Sequence, residues 1–458
     1  MHKNMPGFNT SLSRVLGLLL ILALFAILES GMSYLLWLFF MWIGIFIEKK
    51  LYQGIYSKYR FVDWYMIISI VGLLIHIDNY YNFNEYFGYA KDDLTFFMQY
   101  SYLFEGSGEQ QIVSSFIYLS SLFVYPIYLL KELSLLDVLP MNWLIASLTI
   151  VFLDKYYHIM TGKNIPFVIM LFGFCFRFVL FDTITRFYRD NLILLCLVIA
   201  AVFISQKKYY KSVISMLIVA ILRVASVSYL ILLLAFSRFD KIRRSILTGV
   251  AISVIVVLSL FYSQIVAIGI KYGSDLTRMD LYTEVFEGYS ADELAEIRFG
   301  SLAENDKNQI VQKAYSSNSI WALGLKAGSN YMFPLTLESP FSVQMHYEMG
   351  PVYGFYFSKI MIWLCVISMI FTTSFLFLGI KNAKDKNMFA LALTNIIFWI
   401  LVLTVSGQPR HSAPFYMFNV IFITNGYYLW KEKGKGKWMV GILTVFLLAF
   451  VVIYNMAK

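Results

Sequence analysis

The chain has 458 residues, 59% hydrophobic and 14% charged, with a net charge of +9 and a mean hydropathy of +0.67. Apolar runs of membrane-spanning length recur from end to end without the period-2 alternation of a β-barrel, so the composition indicates a polytopic α-helical membrane protein. Most Lys and Arg lie in short loops between those runs, where they report orientation and not nucleic-acid binding.

In chain order, the first apolar run lacks a small-residue cleavage site and reads as a retained span, with no soluble domain expected before or after the membrane part. The loop EKKLYQGIYSKYR is strongly basic and marks the cytoplasmic face. One span later comes NYYNFNEYFGYAKDDLTFFMQYSYLFEGSGE, part of a first outer loop at 80–132. Asp92 and Asp93 within it perturb each other's ionisation and offer hard oxygen ligands, which suits a general base or a divalent cation. A solvated pair beside Lys91 is the alternative reading. Residues 110–132 are expected to form a helix lying in or dipping into the outer face, because DKYYHIMTGKN becomes cytoplasmic only if they do not cross.

The stretch FDTITRFYRDN then sets Arg186 and Arg189 one helical turn apart at the start of an apolar helix. Two arginines on one face of a helix N-terminus suit a phosphate or pyrophosphate; an Arg186–Asp190 ion pair that anchors the helix is the simpler reading. QKKYYK and SRFDKIRRS both look cytoplasmic, yet one apolar run separates them and Arg223 stands inside it. A charge there costs about 2.5 to 3.5 kcal/mol unless it faces a cavity or a partner. A broken helical hairpin that enters and returns to the same side resolves both problems.

The longest polar segment, at 267–350, is rich in Asp and Glu and is expected outside. It returns to the membrane through SPFSVQMHYEMGPVYGFYF, whose His346 is a candidate base. SGQPRHSAPFYM places Arg410 and His411 between Pro409 and Pro414, a stiffened turn able to bind a phosphate and shuttle a proton or to act as an interfacial anchor. KEKGKGK marks the cytoplasmic face again. The count is about eleven full spans plus the broken hairpin and outer-face helices in a single transmembrane domain, residues 1–458, with the N-terminus inside and the C-terminus outside. Cys175, Cys196 and Cys365 sit in apolar runs without CxxC or Cys/His spacing, which supports neither a disulfide framework nor a metal site. There is no P-loop, no GxGxxG at a strand-helix junction and no HExxH.

This order of features resembles the EpsG and Wzy-type polysaccharide polymerases. The likeness is carried by the acidic, tyrosine-rich outer loop YAKDDLTFFMQYSYLFEG and by the Arg-headed span and broken helix in RFYRDNLILLCLVIAAVFISQKKYYKSVISMLIVAILRVASVSYLILL. The loop return MHYEMGPVYGFYF belongs to the same pattern. It implies a GT-C-like membrane fold in the bacterial inner membrane, with the active site facing the periplasm or cell exterior. The implied activity joins undecaprenyl-pyrophosphate-linked oligosaccharide repeat units into O-antigen, capsule or exopolysaccharide, without nucleotide or other cofactor. Membrane lipid and a chain-length regulator protein are the implied partners. Arg186, Arg189, Arg223 and Arg410 would neutralise the leaving pyrophosphate, and His346, His411, Asp92 or Asp93 would take the acceptor proton. In this family the broken helix often carries His where the present chain has Arg223. A GT-C transferase using a polyprenyl-phosphate sugar and a divalent metal at Asp92 and Asp93 is the second expectation, and a lipid-linked oligosaccharide flippase the third.

Overall fold

The computed structural model describes residues 12–51, 60–83, 91–106, 113–238, 260–272, 357–383, 385–405, 409–434 and 436–456, with short stretches such as 287–294 and 331–332. The described residues are helical, without a strand. We number the helices α1 (Leu12–Ile27), α2 (Gly31–Leu51), α3 (Arg60–Phe83), α4 (Lys91–Glu105), α5 (Ser115–Tyr128), α6 (Leu135–Thr161), α7 (Phe167–Met170, continued by a π-turn Leu171–Cys175) and α8 (Phe178–Thr185). They continue as α9 (Arg189–Ser205), α10 (Tyr209–Leu222), α11 (Val224–Arg238), α12 (Tyr262–Tyr272), α13 (Phe357–Lys381), α14 (Lys386–Val405), α15 (Ala413–Lys433) and α16 (Lys437–Met456). Among the described residues, six helices are long and apolar enough to cross a membrane, and the α7–α8 pair, bent by 80°, would make a seventh. The chain is a helical membrane-embedded protein.

The core forms around α6, whose apolar side chains are buried on every face. Such a helix needs its end groups satisfied internally. Asp137 does this at the N-terminus: it accepts bonds of 2.8 Å from the backbone N–H and hydroxyl of Ser134 and 2.7 Å from the hydroxyl of Ser33, and pairs with Lys131 at 2.9 Å. The opposite end is closed by Gly162, left-handed at φ 68°, whose N–H donates to the carbonyl of His158 at 2.8 Å, and Asp154 of the same helix accepts from the backbone N–H of Ile165 at 2.7 Å.

Side-chain contacts fix the direction of each helix relative to α6. Ser33 meets Asp137, so α2 starts beside the start of α6; Trp37 donates to Ser69 and Phe61 N–H to Glu48, so α3 runs back against α2. Asn142 bonds Arg186 near one end of α9 and Tyr156 bonds Ser205 at the other, which makes α6 and α9 parallel. α15 follows the same direction, with Phe418 against Tyr156 and Glu432 paired to Lys163 at 2.6 Å. α14 opposes α15, since Asn395 bonds Asn419 and Trp399 stacks on Phe415. α11 opposes α14, with Tyr229 bonded to Asn395 and Phe236 packed among Ala390, Leu393 and Ile397.

One consequence is a polarised bundle. The turns near Lys163, Lys207 and Lys208, Lys386 and Lys433 gather at a single end, which we term the basic end. At the far end α4 and α5 form a roof, joined by a Tyr100–Ser120 bond of 2.6 Å and a Gln99–Ser114 bond of 2.8 Å. The segment read as the first outer loop thus contains two helices where the sequence indicated one: KDDLTFFMQYSYLFE has no Gly or Pro to break a helix, and its Tyr100 and Phe104 pack on α5. α13 and α15 cross where Gly379 faces Gly426: a Cβ on either would lie 1.9 or 2.0 Å from a carbonyl oxygen of the other helix.

Candidate functional site

The site begins where α8 stops. Thr183 and Thr185 bond back to carbonyls of their own helix at 2.7 and 2.9 Å, a habit that weakens a helix terminus. Arg186 and Tyr188 are then extended, and α9 starts only at Arg189. The carbonyls freed by this break are buried and need donors. Asn191 supplies one to Thr183 at 2.7 Å, Trp143 reaches Thr185 at 3.5 Å, and the Asn142 amide donates to Arg186. Between the arginines, Phe187 is fully buried beneath Phe116 and Tyr100 of the roof. Arg186 and Arg189 therefore do not share one helical face as the one-turn spacing suggests.

α9 and α10 are antiparallel, joined by the turn at 206–208, so the N-terminus of one lies beside the C-terminus of the other. The first carries the positive end of a helix dipole and the second the negative end. The side chains complement both: Asp190 sits in the first turn of α9, while Arg189 donates to the last carbonyl of α10, Leu222, at 3.5 Å. Arg223 leaves the helix in extended backbone and pairs with Asp190 at 2.6 Å, the two side chains being 9% and 6% exposed. Asp190 is thus paired to an arginine from another helix. α11 starts at the next residue and runs back, so the break indicated at Arg223 is the tip of a helical hairpin.

The hairpin also fixes depth. From Lys208 to Arg223, and from Lys155 to Asn142, the helices rise about 20 Å at 1.5 Å per residue. The arginines therefore lie about 20 Å along the bundle from the basic turns, two-thirds of the thickness of a hydrocarbon layer of about 30 Å. The sequence placed Arg223 near the middle of its apolar run, but the return through α11 turns that middle into an end.

Of the other candidates, His411 and the backbone of Arg410 occupy a 3-10 turn, Pro409–Ser412, that opens α15. Ser412 is fully buried and its hydroxyl has no partner. The carbonyl oxygens of the Asn142 and Asn191 side chains are likewise buried without a donor. Asp92 and Asp93 lie in the first turn of α4; their side chains, that of Arg410 and all of His346 lie outside the described residues. The structure brings Arg189 and Arg223 together beside Asp190, and sets Arg186 at the break three residues before Arg189, where Asn142 donates to its backbone carbonyl. No group of three metal-ligating side chains occurs among the described residues.

Sequence reasoning missed Arg177, which caps α8 at the bend after the π-turn and is buried. The signal that could have found it was the same as for Arg223: a lone arginine inside an apolar run, here LFGFCFRFVLF. It also passed over Asp78, buried near the end of α3, which accepts the backbone N–H of Phe357 at 3.0 Å and fixes the start of α13. No protein-family model, curated protein or solved structure matches the chain.

Proposed function

We propose that this chain is a polysaccharide polymerase of the bacterial inner membrane, joining undecaprenyl-pyrophosphate-linked repeat units at its outer face. The observation that carries the reading is the pair of Arg189 and Arg223 beside Asp190, with Arg186 at the break that precedes α9, on the side of the bundle away from the basic turns. Positive-inside anchoring accounts for arginines at the basic end, not for these. The helix directions support the orientation: with the basic end cytoplasmic, α1 runs outward, the α10–α11 hairpin enters and returns, and α16 ends outside. Eleven crossings result if one lies between α11 and the polar segment that precedes α13.

In the proposed reaction a hydroxyl of the incoming repeat unit attacks the anomeric carbon of the growing chain. The bond from that carbon to the pyrophosphate oxygen breaks, and the proton of the hydroxyl passes to His346, His411, Asp92 or Asp93. Arg186, Arg189, Arg223 and Arg410 stabilise the charge gathering on the departing pyrophosphate, where guanidinium forks suit phosphate oxygens. The reading needs no nucleotide, because the glycosyl-pyrophosphate bond supplies the driving force.

Arg186 offers the cleanest test, being only half-buried where Arg223 is buried. Purified Arg186→Ala is expected to make polymer from lipid-linked repeat units about tenfold more slowly, the loss of one charge-assisted contact to the transition state. Polymer formed at the parental rate and length would remove Arg186 from the reaction.

A further inference from the structure

Tyr331 and Met332, from the polar segment between α12 and α13, do not lie at the far end of the bundle. That segment joins α13 at Phe357, yet the hydroxyl of its Tyr331 lies 3.0 Å from that of Thr373. From Phe357 to Thr373 the helix descends about 24 Å at 1.5 Å per residue. The adjacent Met332 packs against Val366 and Met369 of α13 and Val451 of α16. Two residues of a segment rich in acidic side chains are thus seated deep among spanning helices, and the chain from 332 to 357 is long enough to reach there at about 3.3 Å per residue.

Arg177 meets them. Its guanidinium lies over the ring of Tyr331 at 4.4 Å and that of Tyr416 at 5.1 Å, and donates to the backbone carbonyl of Tyr331. Both aromatic faces stabilise the cation, and the Tyr331 carbonyl accepts a charge-assisted bond from it. The α7–α8 bend delivers this contact, because Arg177 stands where the chain turns by 80°.

We infer that Tyr331 and Met332 are seated as a re-entrant plug in the bundle, and that Arg177 is the positioning residue that holds them there. The plug rests on the placement of this segment within the proposed enzyme and not on its chemistry. Asp78 separately fixes the start of α13 through Phe357.

The test uses the full chain in membranes, with Cys175, Cys196 and Cys365 replaced and a single cysteine introduced as Met332→Cys or, for reference, as Tyr289→Cys. Tyr289 belongs to the same segment and is exposed. A membrane-impermeant maleimide is applied from whichever side labels Tyr289→Cys. Met332→Cys is expected to react at least tenfold more slowly than the reference, and adding Arg177→Ala is expected to raise its rate about tenfold, the effect of losing a desolvated cation–π contact. Arg177→Lys, which keeps the charge, is expected to fall between. Equal labelling of the two positions in the parent chain overturns the plug; protection unchanged in Arg177→Ala and in Tyr331→Leu overturns the role of Arg177. Because the comparison is a ratio between two sites, it stands whichever face of the membrane the segment occupies and whether or not the chain makes polymer.

Discussion

At the Arg223–Asp190 pair, structural and catalytic roles are separable by mutation. Removing one partner strands a buried charge, so Arg223→Ala is expected to destabilise the protein by about 3 to 5 kcal/mol. Joint replacement by Arg223→Met and Asp190→Leu leaves no charge behind and is expected to recover most of that stability. If the arginine serves only the fold, polymer synthesis returns with stability, as thermal unfolding in detergent and polymer length together would show; the proposed function requires that it does not. Asn191→Ala should cost about 1 to 3 kcal/mol by leaving the carbonyl of Thr183 buried without a donor, measured by the same unfolding. Arg223 was legible in the sequence because a charge in an apolar run has few explanations. Its partner was not, since Asp190 becomes its neighbour only through the antiparallel register of α9 and α10, and the helix-start position of Asp190 pointed to a local pair instead.

Among the elements, the crossing of α13 and α15 is the most constrained contact. Their backbones approach closely because two glycines face one another, the arrangement by which membrane helices gain packing where no hydrophobic driving force separates helix from lipid. Gly379→Ala and Gly426→Ala each place a methyl group against a carbonyl oxygen and are expected to destabilise by about 1 kcal/mol or more, the lower end of core overpacking. Gly249→Ala, with open space around it, serves as the control. Apolar periodicity announced the long helices. It announced the α5 half of the roof but not the 80° bend or α4, because a π-turn and a helix held by aromatic contacts owe their form to neighbours distant in sequence.

For the whole molecule, the direction of each helix rather than the number of apolar runs carries the orientation. Lys163→Cys and Lys207→Cys are expected to be labelled from the cytoplasmic side, and Gly106→Cys and Leu130→Cys from the opposite side. One shared side for all four would withdraw the proposed outer placement of the arginines. The two ends of the bundle were readable from the basic loops alone, since like charges at several turns must share a face. Depth was not readable, because it follows from how far α10 climbs beside α9.

The hairpin with Arg223 at its tip also bears on how the chain enters the membrane. α10 and α11 are joined through one residue, which leaves no loop to wait outside while a single helix is threaded; the two must be integrated together with the arginine leading. Synthesis proceeds from the N-terminus, so Asp190 is made before Arg223, and an ion pair that forms during insertion would need the carboxylate first. Asp190→Leu is accordingly expected to lower the fraction of nascent chains that integrate residues 209–238, as scored by protease protection of truncated products. The ion pair is in this sense an order of assembly written into the chain, with the acceptor of the charge made first.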